Sequence, residues 1–408
     1  MRDGWEVKPL KEVCQYQRGL TYTKSDEVEY SSNIVLRANN IDLGTHLLNL
    51  SDLKYISDDV TVSQTKRVRP GSLLICTASG SKSHLGKVAF IDQDYGYAFG
   101  GFMGQITPKK EVEERFLFYV LTSSIYKKYI DELSDGVNIN NLKYDQLGQF
   151  PVIVPPLPEQ RRIVAILDEA FEGIATAKAN AEKNLQNARE VFEGHLNAVF
   201  SQRGEGWMEK GLDEVCLKIQ DGAHESPQVL FDTPGNGRFL YITSKNIKDG
   251  YLDLNKVAYV NSDFHNRIYS RCQPDVGDIL LTKDGSNTGN VSINSIAEPF
   301  SLLSSVCLIK TNTNFLLQKF LYFYLRSPIG INKITGSMTG TAIKRIILKT
   351  IKKSTITIPS LQAQMAIVSE IDKLNNYTQH LESLYKQKIT ALDELKQSLL
   401  HQAFNGDL

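Results

Sequence analysis

The chain has 408 residues, 41% of them hydrophobic and 23% charged, which excludes a disordered chain and leaves length for two or three domains. Lys plus Arg equals Asp plus Glu at 46 each, so no overall basic field marks a nucleic-acid partner, and any such contact must come from local patches. Cys14, Cys76, Cys216, Cys272 and Cys307 contain no C-x-x-C pair and are odd in number, which argues against a zinc ribbon and a disulfide framework. No apolar run follows Met1-Arg2-Asp3-Gly4-Trp5, and none anywhere reaches the roughly 18 residues of a membrane span, so a cytoplasmic protein without signal peptide or membrane contact is expected.

Along the chain, the first motif is Gly4-Trp5-x-x-Lys8-x-Leu10-x-Glu12-Val13-Cys14. It returns as Gly206-Trp207-x-x-Lys210-x-Leu212-x-Glu214-Val215-Cys216, seven identities in eleven positions at an offset of 202. Asn40-Ile41 before Gly44 is answered by Asn246-Ile247 before Gly250, and Gly71-Ser72-Leu73-Leu74 by Gly277-Asp278-Ile279-Leu280. The short apolar runs at 73–76 and 279–281 read as strands, and the aromatic stretches at 116–121 and 320–325 as helices packed on them, core rather than site. Runs 150–154 and 355–358 read as the strand that ends each head. A period near 200 residues is too long for a solenoid, whose units run roughly 20 to 50 residues, so the chain is a duplicated domain-plus-helix.

After Pro158 only Gly173 and Gly194 interrupt a helical pattern that reaches Phe200, with a seam at Ile163, Leu167, Ala170, Ile174, Ala177, Ala181, Leu185, Ala188, Phe192 and Val199. The second copy places Ile367, Ile371, Leu374, Leu381, Tyr385, Leu392, Leu395, Leu399 and Ala403 on its seam, with Thr378 and Lys388 interrupting. The predicted organisation is therefore a head at 1–155, a long helix at 156–203, a second head at 204–358 and a second helix at 359–408. The fold class is α+β: two small α/β heads separated by two long helices that pair as an intramolecular antiparallel coiled coil, in a pseudo-two-fold repeat.

Signatures of catalysis are missing from the sequence. It contains no Asn-Pro-Pro or Asp-Pro-Pro of an adenine methyltransferase. Gly80 to Lys87 resembles a phosphate loop, but it has five residues between its glycines and Val88 where Ser or Thr would hold magnesium. Pro274-Asp275 and Asp278 lack the carboxylate-Lys pair of a metal nuclease, and Asp284-Gly285-Ser286-Asn287-Thr288 has Ser295 where a calcium loop needs Glu. His84 and His224 stand without a Cys, His or carboxylate at ligand spacing, so no resident metal is expected.

Sequence-specific DNA binding needs side chains with paired donors and acceptors for base edges, and Ser, Thr, Lys and backbone amides for phosphates. Polar, Gly-containing loops that recur in both heads supply such residues, although Asn and Gly also simply shape turns. In the first head these are Arg37, Asn39 and Asn40; Ser79, Ser81, Lys82 and His84; and Asn138, Asn140 and Lys143. In the second they are Ser244, Lys245 and Asn246; Lys283, Ser286, Asn287 and Thr288; and Thr341, Lys344 and Arg345. Residues 201–359 carry 19 basic against 14 acidic residues, whereas 1–155 carry 18 against 19, and the densest basic stretch is Lys344, Arg345, Lys349, Lys352 and Lys353. The loops differ between copies while the framework matches, so the two heads are expected to bind differently.

The stretch Pro155-Pro156-Leu157-Pro158-Glu159-Gln160-Arg161-Arg162-Ile163-Val164, with Gln220-Asp221-Gly222-Ala223-His224, Thr282-Lys283-Asp284-Gly285-Ser286 and Thr339-Gly340-Thr341-Ala342-Ile343, resembles the specificity subunits of type I restriction-modification systems over essentially the whole chain. Its second helix opening, Pro359-Ser360-Leu361-Gln362-Ala363-Gln364, replaces Glu-Gln by Ala-Gln, which separates Glu159 from any task common to both halves. The resemblance implies a non-catalytic subunit that reads a bipartite site on double-stranded DNA, one head per half, with the helices setting the spacer. It further implies two methyltransferase subunits and translocase-nuclease restriction subunits as partners, which alone carry S-adenosylmethionine, ATP and Mg. The competing reading is a coiled-coil adaptor joining two peptide- or protein-binding heads.

Overall fold

The computed structural model describes residues 4–135, 141–202, 204–336 and 345–408, which fall into two compact units: Met1–Ala181 with Gln387–Leu408, and Glu182–Lys386.

The first unit opens with β1 (Glu6–Pro9), α1 (Leu10–Val13) and β2 (Cys14–Arg18), followed by β3 (Glu27–Val28), β4 (Asn33–Leu36), β5 (Lys54–Ile56), β6 (Leu73–Cys76), β7 (Val88–Phe90), β8 (Ala98–Phe99) and β9 (Met103–Pro108). Helices α2 (Glu114–Val120), α3 (Ser124–Asp135) and α4 (Tyr144–Leu147), then β10 (Pro151–Val154), complete the head. Strands β2-β9-β6-β7 form one sheet and β3-β5-β4-β8 another, and β1 pairs with β10 to tie the head's first strand to its last.

Strand β6 shows why a four-residue run without polar alternation is stable here. Successive side chains of a strand point to opposite faces. Leu73 and Ile75 therefore enter the cluster under α2 and α3, while Leu74 and Cys76 enter the cluster under the second sheet. The sheet is a middle layer, buried on both faces, as continuous apolar strands are. Gly19 marks where the two sheets meet: a Cβ there would lie 2.0 Å from the Gly100 carbonyl oxygen, so only glycine permits the contact.

The second unit repeats this plan with α5 (Leu157–Ser201) leading in, then β11 (Met208–Gly211), α6 (Leu212–Val215), β12 (Cys216–Asp221), β13 (Arg238–Ile242), β14 (Ala258–Asn261), α7 (Ser262–Tyr269), β15 (Ile279–Thr282), β16 (Val291–Ile293), β17 (Ser301–Leu302) and β18 (Val306–Thr311). Helices α8 (Gln318–Arg326), α9 (Pro328–Thr335) and α10 (Leu348–Lys353), β19 (Thr355–Ile358) and α11 (Leu361–Asn405) follow. The sheet order β12-β18-β15-β16 reproduces β2-β9-β6-β7, and Gly222 reproduces Gly19, its Cβ position 2.2 Å from the Leu302 carbonyl oxygen. β15 likewise sends Ile279 and Leu281 to one core and Leu280 to the other. Each aromatic stretch expected to be a core helix is one, α2 and α8, and Phe116 and Phe320 are fully buried.

Helices α5 and α11 are 45 residues each, and each begins in one unit and ends in the other. Within the first unit they run antiparallel: Arg162 donates to the Leu408 carbonyl at 2.7 Å, the Lys396 ammonium lies 5.2 Å over the Phe171 ring, and Lys178 meets Asp393 at 2.7 Å. Within the second unit Arg189 meets Glu382 at 3.1 Å and His195 meets Glu370 at 3.6 Å, again antiparallel. Each helix also docks its far end on a head, Phe404 edge-on to Phe116 and Phe200 edge-on to Phe320.

The seam of α5 follows expectation at Ile163, Leu167, Ile174, Ala181, Ala188 and Phe192, and adds Leu196 and Phe200. That of α11 departs from it. Leu381 and Leu395 are 40% and 47% exposed, whereas Val368, Thr378, Leu400 and Phe404 are buried. The covered face runs through Glu382 and Lys396, half-buried ion-pair and ring partners, so polar residues occupy seam positions that an apolar pattern search passes over. Thr378 is part of the seam, not an interruption.

Candidate nucleic-acid interface

In each head three loops leave the same edge of the framework. The first follows β4 or β13 and is built around an asparagine. The Asn40 side-chain oxygen accepts the Arg37 N–H at 2.8 Å while its amide donates to the carbonyls of Asn49 and Asp52, both at 2.9 Å. Asn246 does the same, accepting from Thr243 N–H at 3.0 Å and donating to the Asp253 carbonyl at 3.1 Å. Both are buried, Asn40 fully, and their amides are committed to the turn. They hold the shape of the loop.

The second loop follows β6 or β15, and hydrogen bonds join it to the first. Lys87, the lysine of the phosphate-loop-like stretch, is buried and donates to the Ile41 carbonyl at 2.7 Å, with His84 Nδ1 3.1 Å away. Burial lowers its ammonium from the usual lysine range, outweighing the opposing pull of Cys76 and the Asp42 carboxylate. In the second head Asn287 donates to the Ser244 carbonyl at 3.1 Å and Asn290 to the Ile247 carbonyl at 3.2 Å. The third loop precedes α4 or α10 and is stitched to the second by one backbone bond at the same place in both heads: Leu142 N–H to the Thr77 carbonyl at 2.6 Å, and Ile346 N–H to the Lys283 carbonyl at 2.8 Å. Segments scattered over about a hundred residues of each head thus share one face.

On that face Asn39, Ser81 and Lys143 of the first head, and Lys245, Ser286 and Arg345 of the second, are exposed. Arg37, Ser79, His84, Ser244, Asn287 and Thr288 are half-buried. Asn138, Asn140, Thr341 and Lys344 lie outside the described residues, as does the side chain of Lys82. Asp52, absent from the sequence-based set, binds both Arg37, at 3.1 Å, and Asn39, at 2.7 Å, through one carboxylate oxygen.

The second head differs from the first in a buried charge network. Lys283 is only 2% exposed, its ammonium 3.4 Å from Asp221 and 3.7 Å from Asp284. Arg271 meets Asp221 at 2.7 Å, His224 meets it at 3.1 Å, and Arg345 meets Asp284 at 3.0 Å. Burial alone would raise the Asp221 carboxyl, but the Arg271 hydrogen bond and the Lys283 charge overcome it and hold the group below the usual aspartate range. His224 therefore has a carboxylate partner, contrary to the sequence-based expectation, because a strand end turns the residue three positions earlier toward it. Two of the resembling stretches, 220–224 and 282–286, meet in this cluster. In the first head Thr77 stands at the Lys283 position and Arg18 at that of Asp221, as the matching backbone bonds and the neighbouring Gly19 and Gly222 establish.

The nuclease-like carboxylates are also explained, since Lys310 lies 2.6 Å from both Asp275 and Asp278. Among the described residues no group of three or more His, Cys, Asp or Glu is placed to hold a metal ion, and no helix is long and apolar enough to cross a membrane.

The type I restriction modification DNA specificity domain matches residues 2–186 and again 204–391. The whole chain aligns with the EcoKI specificity subunit of Escherichia coli strain K12, at 26% identity over 100% of this chain and 89% of that one. It aligns with the StySPI specificity subunit of Salmonella potsdam at 25% identity and the same coverage. Among solved structures, a chain from the type I R-M system described for its complex assembly and conformational transition superposes with a TM-score of 0.79 over 100% of this chain and 99% of that one, at 19% identity. The HsdS subunit from Thermoanaerobacter tengcongensis gives 0.57 at 18% identity, covering 100% and 98%. With the domain matched twice, each time over a head and part of the long helix that follows it, this chain belongs to the type I restriction-modification DNA specificity family.

Proposed function

We propose that the two heads read the two halves of an asymmetric bipartite DNA target, that α5 and α11 set the spacer, and that the chain contributes no catalytic group. The observation that carries this reading is the repeated face: three hydrogen-bonded loops in each head, the second and third joined by an equivalent backbone bond, on matched frameworks and presenting different side chains. A shared mount with divergent tips fits two different half-sites of one recognition sequence, and family membership favours it over a coiled-coil adaptor for peptides. Asn39, Arg37, Ser81, His84 and Lys143 are proposed contacts for one half, and Lys245, Ser286, Asn287, Thr288 and Arg345 for the other. Asn138, Asn140, Lys82, Thr341 and Lys344, and the weaker candidates Ser79 and Ser244, extend the two sets. Asn40, Asn246 and Lys283 are assigned to holding the loops. Methyl transfer and cleavage are assigned to two methyltransferase subunits and to restriction subunits, which would bring S-adenosylmethionine, ATP and Mg.

Exchanging residues 1–155 for those of another family member, in cells that supply the modification subunit, and mapping methylated adenines tests the reading. One half of the methylated motif is expected to change and the other to stay. A change in both halves, or in neither, overturns it.

A further inference from the structure

Phe102 lies beside the second loop of the first head's face, and none of the polar reading accounts for it. It is 72% exposed, on the turn between β8 and β9. Its backbone is rigidly held: the carbonyl accepts from Thr77 N–H at 2.9 Å, Ala78 N–H at 3.1 Å and the Thr77 hydroxyl at 3.0 Å. These are the residues that start the second loop and bond the third, so Phe102 stands beside the junction of those two loops. Among the described residues it stacks on no other ring.

The second head shows that the framework does not require an aromatic side chain there. Lys283 N–H bonds the Ser305 carbonyl at 2.9 Å as Thr77 N–H bonds that of Phe102, and Val306 N–H bonds Leu303 as Met103 N–H bonds Gly100. Ser305 is thus the counterpart of Phe102, and it is buried, its hydroxyl accepting the Ser244 N–H at 3.2 Å. A serine fills the structural position. An exposed phenylalanine in the same place, beside the polar loops, presents an apolar surface that the framework does not need.

A DNA duplex offers apolar surface in its bases: the thymine 5-methyl group at the groove edge and the ring face uncovered when a base step opens. Resting on the proposal that the first head binds DNA, we infer that Phe102 is a specificity-determining residue that makes the apolar base contact of the first half-site, a contact the second head lacks.

The test uses the full chain assembled with its modification subunit and a duplex carrying the motif found by methylation mapping, beside a scrambled duplex. Phe102→Ser, which installs the second head's residue, is expected to weaken cognate binding about tenfold, in the range of a lost base-aromatic contact, with scrambled binding unchanged. Phe102→Leu is expected to retain part of the discrimination. Replacing thymines of the first half-site by uracil should weaken the unaltered chain but not Phe102→Ser if the partner is the methyl group. A 2-aminopurine in that half-site should brighten with the unaltered chain only if the partner is an opened step. A Phe102→Ser chain with unaltered discrimination, while the unaltered chain discriminates, overturns this inference alone. An unaltered complex that binds both duplexes equally overturns the DNA-reading proposal and this one with it.

Discussion

Gln160 and Gln364 are the residues that attach each long helix to its own head, and they act identically. Gln160 accepts the Glu113 N–H at 2.8 Å and donates to the carbonyls of Glu111 and Pro155, while Gln364 accepts the Leu317 N–H at 2.9 Å and donates to those of Phe315 and Pro359. Both glutamines are fully buried, and removing either strips a hydrogen-bond partner from three backbone groups. Gln160→Ala is expected to destabilise the first unit by about 3 kcal/mol, given roughly 1–3 kcal/mol per stranded buried group. Glu159→Ala, which disturbs a surface pair with Arg162, should cost under about 1 kcal/mol. Urea unfolding read from Trp5 in a Trp207→Phe background checks this, because each unit holds one of the two tryptophans. Equal effects of the two substitutions would contradict it. The sequence contained the glutamine match at an offset of 204, but a glutamine's role depends on which carbonyls surround it, and that was not legible.

Among the elements, the far ends of the long helices carry more of the packing than their length requires. Phe404 is buried against Phe116, with Leu400 and Ala403 in the same core, so the last turns of α11 complete the first head. Phe404→Ala is expected to cost about 3–5 kcal/mol, as truncating a buried aromatic does. Amide exchange should then lose protection in 396–405 and in α2 together, while α8 keeps its own. Unchanged protection in α2 would show that α11 does not support the head. The mixed seam of α11 has a physical reason too: between docking points the helices face each other through Lys178–Asp393, Arg189–Glu382 and Lys396 over Phe171, where long amphipathic side chains cover the partner with their stems and keep their heads wet. An apolar register read from the sequence is therefore one residue off at Leu381 and Leu395, where Glu382 and Lys396 take the covered face.

For the whole molecule, a spacer set by two continuous helices makes a quantitative prediction. Inserting seven helical residues after Leu185 and seven after Tyr385 preserves the heptad frame and adds about 10 Å, close to three base pairs of duplex. Methylation mapping is expected to return both half-sites unaltered with the spacer about three base pairs longer. An unchanged spacer would remove the helices from the ruler role.

The sequence by itself determined the duplication, two strands and one core helix of each head and the two long helices, since these follow from local periodicity and from identities at a constant offset. Tertiary structure alone decided which polar residues are exposed and which are struts. Asn39 and Asn40 are adjacent, yet one is exposed and the other fully buried with its amide saturated; Lys283 and Lys245 are both loop lysines, yet one is enclosed by two carboxylates and the other faces water. A side chain's availability is fixed by neighbours remote in the chain, Asp52 for Arg37, Asp221 for Lys283 and Thr77 for Phe102, and no local pattern encodes those meetings.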